Sequence, residues 1–336
     1  MNILLTSVGR RTYMIYYFKK ALYGIGKVFA SNSIYTYTLH EADNYVITPP
    51  IYDNKYIDFL IDYCKSNNIN ALISLFDIDL PILAKNKRRF KEANINLIIS
   101  DYEVTQICND KWETYKFLKG IGLSQPLTFL SLEETKRAIN NKNINYPLII
   151  KPRWGMGSIG IYKVDNEEEL DILYKKLHRD IFNTYLKYES EIDPNCCIII
   201  QQVLNGQEYG LEIFNDLNGN YIATFAKKKL AMRAGETDIA ETVNPIQFES
   251  MTKLISAELK HIGNLDVDCF VTEDGNQYIL EMNCRFGGQY PFTHNAGVNE
   301  PQQIVDWIQG KPTNKELLIQ RNGIKSCKEL VPVIID

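Results

Sequence analysis

Apolar runs alternate with amphipathic stretches along about the first hundred residues of the chain. The amphipathic stretches predict a helix that ends near Tyr23 and a second helix over 81–93. The apolar runs predict buried strands over 3–6, 27–30, 71–75 and 96–99. Strands that alternate with helices indicate a mostly parallel α/β sheet. Because ligand loops lie at the carboxyl ends of such strands, one rim is expected to carry the loops 7–11, 31–33 and 76–79.

The pattern changes near residue 109. A helix is predicted over 111–120, and strands at 147–151 and 160–164 enclose a glycine-rich loop. An apolar strand is predicted over 197–204, and alternating residues predict an antiparallel sheet from strands at 208–215, 221–229, 267–272 and 277–282. We therefore predict an α/β fold that becomes α+β in its C-terminal part, with domains at 1–108, 109–200 and 201–336.

The glycine-rich loop contains the pattern G-x-G-x-x-G from Gly155 to Gly160. In a dinucleotide-binding fold this pattern opens a helix, but here the residues after Gly160 read as a strand. The loop therefore joins two strands, as the flap over the phosphates does in kinases. Lys151, at the end of the preceding strand, can reach the α- and β-phosphates of a nucleotide under this flap. The alternative is that Lys151 is an ordinary surface lysine at the end of a strand. Lys111, at the start of its helix, is a weaker candidate for the same role.

The apolar strand at 197–204 leads into a turn and then Glu208. The end of such a strand exposes backbone groups that can read the edge of adenine, and Gln202 can bond its amino group. Glu208 suits the ribose hydroxyls, because a carboxylate accepts two hydroxyl donors well. The alternative is an edge strand with a hairpin turn and an exposed glutamate.

Two predicted strands joined by the hairpin turn 273–276 carry a candidate metal site. Glu281 and Asn283 are two residues apart and point to the same face, where Asp268 of the facing strand can join them. Magnesium prefers such oxygen ligands, completed by substrate phosphates and water. Arg285 projects from the same face and can stabilise charge on a transferring phosphoryl group.

Composition narrows the possible functions. The 336 residues are 45% hydrophobic and 23% charged, with a formal net charge of -4, so neither nucleic acid nor an anionic membrane is an expected partner. No apolar stretch approaches the roughly 20 residues that cross a bilayer and no basic signal segment is apparent, so a soluble cytoplasmic protein is expected. The seven cysteines contain no C-x-x-C pair, so no zinc site is predicted. A dehydrogenase is disfavoured, because the turn 7–11 has a single glycine and 31–33 supplies no acidic ribose ligand.

Taken in chain order, these motifs resemble those of the ATP-grasp superfamily. The resemblance covers nearly the whole chain and is greatest to the carbamoyl phosphate synthase large-subunit type, in its short stand-alone form. The matching pieces are Lys111, Lys151 with the 155–160 loop, 201–204 with Glu208, Asp268, and Glu281-Met282-Asn283-Cys284-Arg285-Phe286-Gly287-Gly288. The resemblance implies a parallel-sheet pre-ATP-grasp domain, then a two-subdomain ATP-grasp fold with a small lid at 109–200 and a metal-bearing subdomain at 201–336.

The resemblance also implies roles for single residues. The phosphates of ATP would be bound by Lys111, Lys151, Gly155, Gly157, Ser158 and Gly160, the adenine by Gln201 or Gln202 and the backbone of Val203 and Leu204, and the ribose by Glu208. Two Mg²⁺ ions, or Mn²⁺ in their place, would be held by Asp268, Glu281 and Asn283, and the catalytic residues would be Arg285, Lys229 and Arg233. Two positions depart from the family pattern: a glutamine replaces the usual adenine-reading glutamate, and Cys284 replaces a proline.

The implied activity is that of an ATP-dependent carboxylate–amine ligase, which forms an amide through an acyl phosphate. Its substrates would be a small carboxylic acid, such as an amino acid or a sugar acid, and an amine. Whether the chain forms a homodimer is left open by the sequence. We expect the acid to face Arg10, Arg11, Asp77 and Asp79 on the N-terminal rim. The alternatives are a phosphotransferase without amide formation and a non-catalytic nucleotide sensor.

Overall fold

The computed structural model describes residues 1–155, 157 and 159–334. Its N-terminal part is a five-stranded sheet in the order β3-β2-β1-β4-β5, and every strand pair in it is parallel. The predicted parallel α/β architecture is thus confirmed. Its elements are β1 (Asn2–Thr6), α1 (Thr12–Ala21), β2 (Lys27–Asn32), α2 (Tyr37–His40), β3 (Asn44–Ile47), α3 (Tyr56–Ser66), β4 (Ile69–Ser74), α4 (Asp79–Lys85), α5 (Lys87–Glu92) and β5 (Asn96–Leu97).

The helices α2 and α3 were not predicted, and β4 and β5 have shifted bounds; two further differences have a clear physical cause. The single helix expected over 81–93 is divided at Asn86, whose side chain donates to the carbonyl oxygen of Ile82 at 2.8 Å and competes with the helical backbone there. The edge strand β3 was not predicted, because most of its side chains are exposed and it has no buried apolar stripe.

A four-stranded antiparallel sheet follows, in the order β6-β9-β7-β8. The apolar residues of β7 and β9 pack with those of α9 in a core of their own, which contains Ile150, Leu177 and Ile198. Its elements are α6 (Tyr102–Asn109), α7 (Lys111–Gly120), β6 (Thr128–Phe129), α8 (Leu132–Asn140), β7 (Leu148–Pro152), β8 (Tyr162–Val164), α9 (Glu167–Phe182), α10 (Lys187–Ser190) and β9 (Ile198–Gln202).

The third part is a six-stranded antiparallel sheet in the order β14-β13-β10-β11-β12-β15. The strand β12 was not predicted, because charged residues interrupt its apolar positions. The elements are β10 (Gly206–Asn215), β11 (Tyr221–Arg233), β12 (Glu236–Val243), α11 (Glu249–Leu259), β13 (Gly263–Thr272), β14 (Gln277–Asn283), α12 (Tyr290–Asn295), α13 (Glu300–Ile308) and β15 (Lys325–Cys327). Within the described residues, no helix is long and apolar enough to cross a membrane.

The two faces of this large sheet have opposite character. On one face, Leu211, Val267 and Met282 form a buried cross-strand row within the main hydrophobic core. On the other face, Asp268 pairs in register with both Gly210 and Glu281. Because side chains alternate along a strand, the apolar row fixes the register and turns the neighbouring polar residues toward the other face.

Candidate active site

A cleft of about 510 Å³ opens above the polar face of the six-stranded sheet. The N-terminal loops, the start of α7, the end of β7 and the glycine loop form its other walls. Of the residues predicted from the sequence, the cleft is lined by Arg11, Asp77, Lys111, Lys151, Gly155, Gly157, Glu208, Lys229, Asp268, Glu281, Asn283 and Arg285.

The three predicted metal ligands lie together on this face. Asp268 and Glu281 are cross-strand partners, and Asn283 follows on the same side of β14. Both carboxylates are partly open to the cleft, with 30% and 26% of their side-chain surface exposed. Within the described residues, no three His, Cys, Asp or Glu side chains converge on one point, so a third protein ligand here would be the Asn283 amide. Carboxylate and amide oxygens suit magnesium, which takes its remaining ligands from phosphates and water.

Each of these carboxylates already has a lysine beside it. The Nζ of Lys229 lies 2.7 Å from Oδ1 of Asp268 and 2.6 Å from Oε1 of Glu208. Burial opposes the charge on this lysine, but Asp268 and then Glu208 outweigh burial and raise the pKa of Lys229. The Nζ of Lys111 lies 3.3 Å from Oε1 of Glu281 and also donates to the carbonyl oxygen of Gly155.

Lys151 is the third lysine of the cleft. Burial, and then the positive charge of Lys111, lower the pKa of Lys151 to about 8. Such a lysine gains from an anionic ligand, because a phosphate compensates for the water that the ammonium has lost. We call Lys111, Lys151, Glu208, Lys229, Asp268 and Glu281 the lysine end of the cleft.

A buried ion pair holds two of these lysines in place. The Asp110 side chain caps α7 by accepting from the backbone N–H of Trp112 at 2.9 Å. Arg153, just after β7, donates to both oxygens of Asp110 at 2.8 and 2.7 Å. The backbone N–H of Lys111 also donates to the carbonyl oxygen of Arg153 at 3.2 Å. The start of α7 and the end of β7 are thereby joined, which brings Lys111 and Lys151 to the same wall.

At the opposite end of the cleft, Arg285 is held between two carboxylates. Its Nε and Nη2 donate to Oδ2 of Asp77 at 3.1 and 2.8 Å, and its Nη1 donates to Oδ2 of Asp266 at 3.1 Å. Burial acts against the guanidinium charge, but Asp77 and then Asp266 outweigh it and raise the pKa of Arg285. Asp266 was not predicted, although it precedes Asp268 by two residues on one strand and must therefore share its face.

Arg11 lies beside this pair but is bonded differently. In the described part of the chain it donates to the carbonyl oxygens of Leu75 and Phe286, not to a carboxylate. Burial, and then the nearby Arg285, lower its pKa. We call Arg11, Asp77, Glu236, Asp266 and Arg285 the arginine end of the cleft. Among the described residues, Arg11 makes no direct contact with a carboxylate, whereas Arg285 makes two, so Arg11 is better suited to an incoming anion.

Gln289 and Glu236 also line the cleft and were not predicted. Gln289 lies directly over Gly210, where an added Cβ would come within 1.6 Å of its Oε1, and it donates to Asp268 at 3.3 Å. Glu236 opens β12, and its Oε2 lies 2.8 Å from Nζ of Lys328 near the C-terminus. Both residues depend on contacts between distant segments, which the local sequence pattern does not reveal.

The predicted glycine loop contributes only in part. Gly155 and Gly157 line the cleft, but Gly160 does not. Gly160 has a φ of +72°, and a Cβ there would approach Leu177 of α9 at 2.7 Å, so this glycine allows close packing of the loop on the helix. Its phosphate contact stays a prediction. Ser158 lies outside the described residues.

The predicted adenine residues lie beside the cleft and do not line it. Gln201 is buried in the four-stranded sheet and donates to Oγ1 of Thr128 at 3.0 Å, so it does not face a ligand and that assignment is corrected. The strand β9 ends at Gln202, two residues earlier than predicted, and Gln202 and the two residues that follow it, Val203 and Leu204, are partly exposed. Their adenine role stays a prediction.

Asp79 was predicted to face the acid substrate, but it does not, and this assignment is corrected. Its carboxylate is fully buried and accepts from Thr6, Tyr56 and Ser74 at 2.6, 2.8 and 2.8 Å. Burial raises the pKa of Asp79, although these hydroxyl donors oppose the shift. The residue joins β1, α3 and β4 beneath the rim, which is a structural role.

Arg10 and Arg233 are also outside the cleft. Arg10 is exposed on the turn before α1. Arg233, at the end of β11, pairs with Asp238 at 2.6 Å and donates to the carbonyl oxygen of Lys328 at 3.3 Å. The structure thus places Arg233 on the outside of the β11–β12 hairpin, while its neighbours Met232 and Gly235 line the cleft.

Two family models match the chain. One is described as PylC-like, N-terminal domain, and covers residues 3–98; the other is described as ATP-grasp domain and covers residues 108–289. The carbamoyl phosphate synthase large chain of Thermotoga petrophila is 24% identical over 254 residues, which are 71% of this chain and 21% of that protein. Biotin carboxylase 2 of Bacillus subtilis is 25% identical over 259 residues, or 72% of this chain and 56% of that protein. The chain therefore spans about a fifth of the former relative and about half of the latter.

Solved structures of the same fold cover almost the whole chain. The L-amino acid ligase from Bacillus licheniformis superposes with a TM-score of 0.76 at 19% identity, over 99% of this chain and 81% of that one. The biotin carboxylase domain of the Hydrogenobacter thermophilus 2-oxoglutarate carboxylase, in complex with MgADP, ADP and bicarbonate, has a TM-score of 0.76 at 20% identity, over 96% of this chain and 73% of that one. At these identities the likeness establishes the fold.

Proposed function

Since the chain belongs to the ATP-grasp family, and is thus an ATP-dependent enzyme, we propose that it joins a small carboxylic acid to an amine through an acyl phosphate. The acid is an amino acid or a sugar acid in this proposal. The L-amino acid ligase among the structural neighbours carries out chemistry of this class by its name, which supports the proposal.

The observation that carries the proposal is the division of the cleft into two ends. The lysine end offers three ammonium groups and a pair of cross-strand carboxylates, as a polyphosphate with its metal requires. The arginine end offers the Arg11 guanidinium, which can bind a carboxylate through two parallel hydrogen bonds. An acid at that end would lie next to the terminal phosphate of a nucleotide at the other.

Nucleotide binding would use the walls of the lysine end. Lys111 and Lys151 would contact phosphates, and Glu208 would accept from the ribose hydroxyls. Ile161 and Leu280 also line the cleft and would pack on the faces of the adenine, next to the backbone of Val203 and Leu204. Magnesium held by Asp268, Glu281 and Asn283 would neutralise charge on the phosphates.

The reaction would then proceed in two displacements. An oxygen of the acid attacks the γ-phosphorus of ATP, the bond to the β-phosphate oxygen breaks, and ADP leaves. The amine nitrogen attacks the carbonyl carbon of the acyl phosphate, inorganic phosphate leaves, and the nitrogen loses a proton to give the amide. The chain contributes positioning and charge neutralisation, with Arg285 beside the transferring group and Arg11 on the acid.

Release of ADP from ATP and Mg²⁺ tests this proposal in a screen of amino acids and hexuronic acids, each with and without an amine. We expect an acid that supports ADP release, with an amide of the acid and the amine as the product seen by mass spectrometry. A phosphorylated acid that accumulates in amounts equal to ADP, with or without the amine, would identify a phosphotransferase instead. Nucleotide binding without ADP release for any pair would favour a sensor.

A further inference from the structure

The lysine end of the cleft has balanced fixed charge. Its three lysines face three carboxylates, and in the described part of the chain each of these carboxylates lies within ion-pair distance of a lysine. Lys229 bridges Glu208 and Asp268, while Lys111 approaches Glu281. The candidate metal ligands are therefore neutralised by the protein itself.

Both Lys229 and Lys111 are held firmly in place. The side chain of Lys229 is only 4% exposed and that of Lys111 only 8%, so neither can exchange its partner for water at low cost. Lys229 extends from the middle of β11, and Lys111 begins a helix whose cap is fixed by Arg153. A divalent cation that entered alone would have to displace an ammonium from each carboxylate and leave it buried and unpaired.

A nucleotide changes this balance. ATP carries about four negative charges, which two magnesium ions offset, so the complex adds little net charge to a site that is already neutral. Its phosphate oxygens also accept hydrogen bonds from the lysines as these leave the carboxylates. Metal and nucleotide together therefore preserve pairing for every buried charge, and neither does so alone.

We propose that Lys229 and Lys111 are built-in counter-ions that keep free divalent cations off Asp268 and Glu281 until a nucleotide arrives. This inference rests on the proposed nucleotide site and deepens it. Lys229, which bridges two carboxylates at 2.6 and 2.7 Å, makes the larger contribution. Lys111, at 3.3 Å from its single carboxylate, makes the smaller one.

Titration of the full chain with Mn²⁺ alone, with free Mn²⁺ followed by electron paramagnetic resonance, tests the inference without any turnover. The titration is repeated in the presence of adenylyl imidodiphosphate, an ATP analogue that resists hydrolysis, and a protein-free titration corrects for the Mn²⁺ that the analogue binds in solution. We expect the wild-type protein to bind Mn²⁺ at least about tenfold more tightly when the analogue is present. Equal affinity with and without the analogue would overturn the inference.

The decisive variant is Lys229→Met. This variant leaves Glu208 and Asp268 without their shared cation. We therefore expect it to bind Mn²⁺ alone at least about tenfold more tightly than the wild type does. Lys228→Met is the matched control, because it removes the same charge from the opposite face of β11, where Lys228 pairs in register with Glu241. This control should leave the affinity for Mn²⁺ unchanged.

A second variant, Lys229→Gln, removes the same charge with a polar side chain, in case Lys229→Met does not fold. Thermal melting shows whether each protein is folded. If folded Lys229→Met and Lys229→Gln both bind Mn²⁺ alone no more tightly than the wild type, the counter-ion role is wrong while the nucleotide site stands. If the wild type takes up no Mn²⁺ even with the analogue, the proposed nucleotide site itself is overturned, and the counter-ion role with it. The two failures are therefore distinguishable.

Discussion

The lysine end and the arginine end of the cleft are built in different ways. At the lysine end, Glu208, Lys229, Asp268 and Glu281 come from adjacent strands of one sheet, so backbone pairing sets their spacing. At the arginine end, Arg285 follows the last of these strands and bonds Asp77 of an N-terminal loop, more than two hundred residues away in the chain. One sheet thus sets the spacing of four of the six residues at the lysine end, whereas Arg285 at the arginine end is held by a contact between two distant parts of the chain.

This difference suggests that one end binds the nucleotide and that the other end determines which acid is accepted. A regular sheet is a rigid support for a ligand common to a whole family, such as a nucleotide. Loops from separate elements accept changes in sequence more easily, so they suit the substrate that distinguishes one enzyme from the next. We infer that variants at the lysine end will affect nucleotide and metal, and that variants at the arginine end will affect the acid.

The largest effect is expected from Glu281→Ala at the lysine end. The change removes a proposed metal ligand and leaves Lys111 without its carboxylate, so ADP release should fall by at least about a hundredfold. The control is Glu273→Ala, in the exposed turn between β13 and β14. A Glu281→Ala protein that is folded and retains wild-type ADP release would contradict the metal assignment.

At the arginine end, Arg11→Ala should raise the KM for the acid by about ten- to a hundredfold, because a bidentate contact to the carboxylate is lost. The affinity for the ATP analogue should change little, as measured by calorimetry. Arg10→Ala removes the same charge from the exposed position next to it and serves as the control. If Arg10→Ala raises the KM and Arg11→Ala does not, the acid site has been placed on the wrong arginine.

Asp77→Asn tests whether the N-terminal loop orients Arg285. The variant weakens the ion pair at 2.8 Å, so we expect kcat to fall by about tenfold while the KM for ATP stays nearly constant. Asp79→Asn, two residues further on, is the comparison. It disturbs a buried hydroxyl network and should lower the free energy of unfolding by about 1–3 kcal/mol in urea, with no change in the KM for either substrate. Identical kinetics for the two variants would refute a specific role for Asp77.

The smallest effect is a pH dependence from Lys151. Its pKa of about 8 in the free protein means that the ammonium is present below pH 8 and is lost above it. Nucleotide affinity should therefore be constant below pH 8 and fall above it, by at most about tenfold per pH unit. Lys151→Arg keeps the charge and should flatten the profile. The same profile in both proteins would assign the titration to another group.

The stability of the fold depends on pH in the opposite direction to nucleotide affinity. Because the pKa of Lys151 is lowered on folding, the unfolded chain binds more protons between about pH 8 and the ordinary lysine value near 10.4. This one group therefore makes the free energy of unfolding rise with pH across that window, while nucleotide affinity falls. Measuring both quantities on one protein separates the two contributions.

The comparison of the two ends also explains what the sequence could predict. Glu281 and Asn283 are two residues apart on a strand, and a hairpin turn brings Asp268 opposite, so regular geometry was enough. The face of Gln201 was not predictable, because its strand is apolar on both sides and periodicity then gives no direction. Asp77 and Asp79 look alike in a loop sequence, yet one lines the cleft and the other is buried under it. Asp79 is fixed by hydroxyl groups of β1, α3 and β4, and Asp77 by Arg285, and only the folded chain brings these residues together.

The transfer of an oxygen atom tests the proposed ligase chemistry most directly. The acid found in the screen is labelled with ¹⁸O in both carboxylate oxygens and incubated with the enzyme, ATP, Mg²⁺ and the amine. Because the attacking carboxylate oxygen stays on phosphorus when the amine displaces phosphate, we predict one ¹⁸O atom in each phosphate released, by mass spectrometry. Amide formation with unlabelled phosphate would contradict an acyl phosphate intermediate and the account of the cleft built on it.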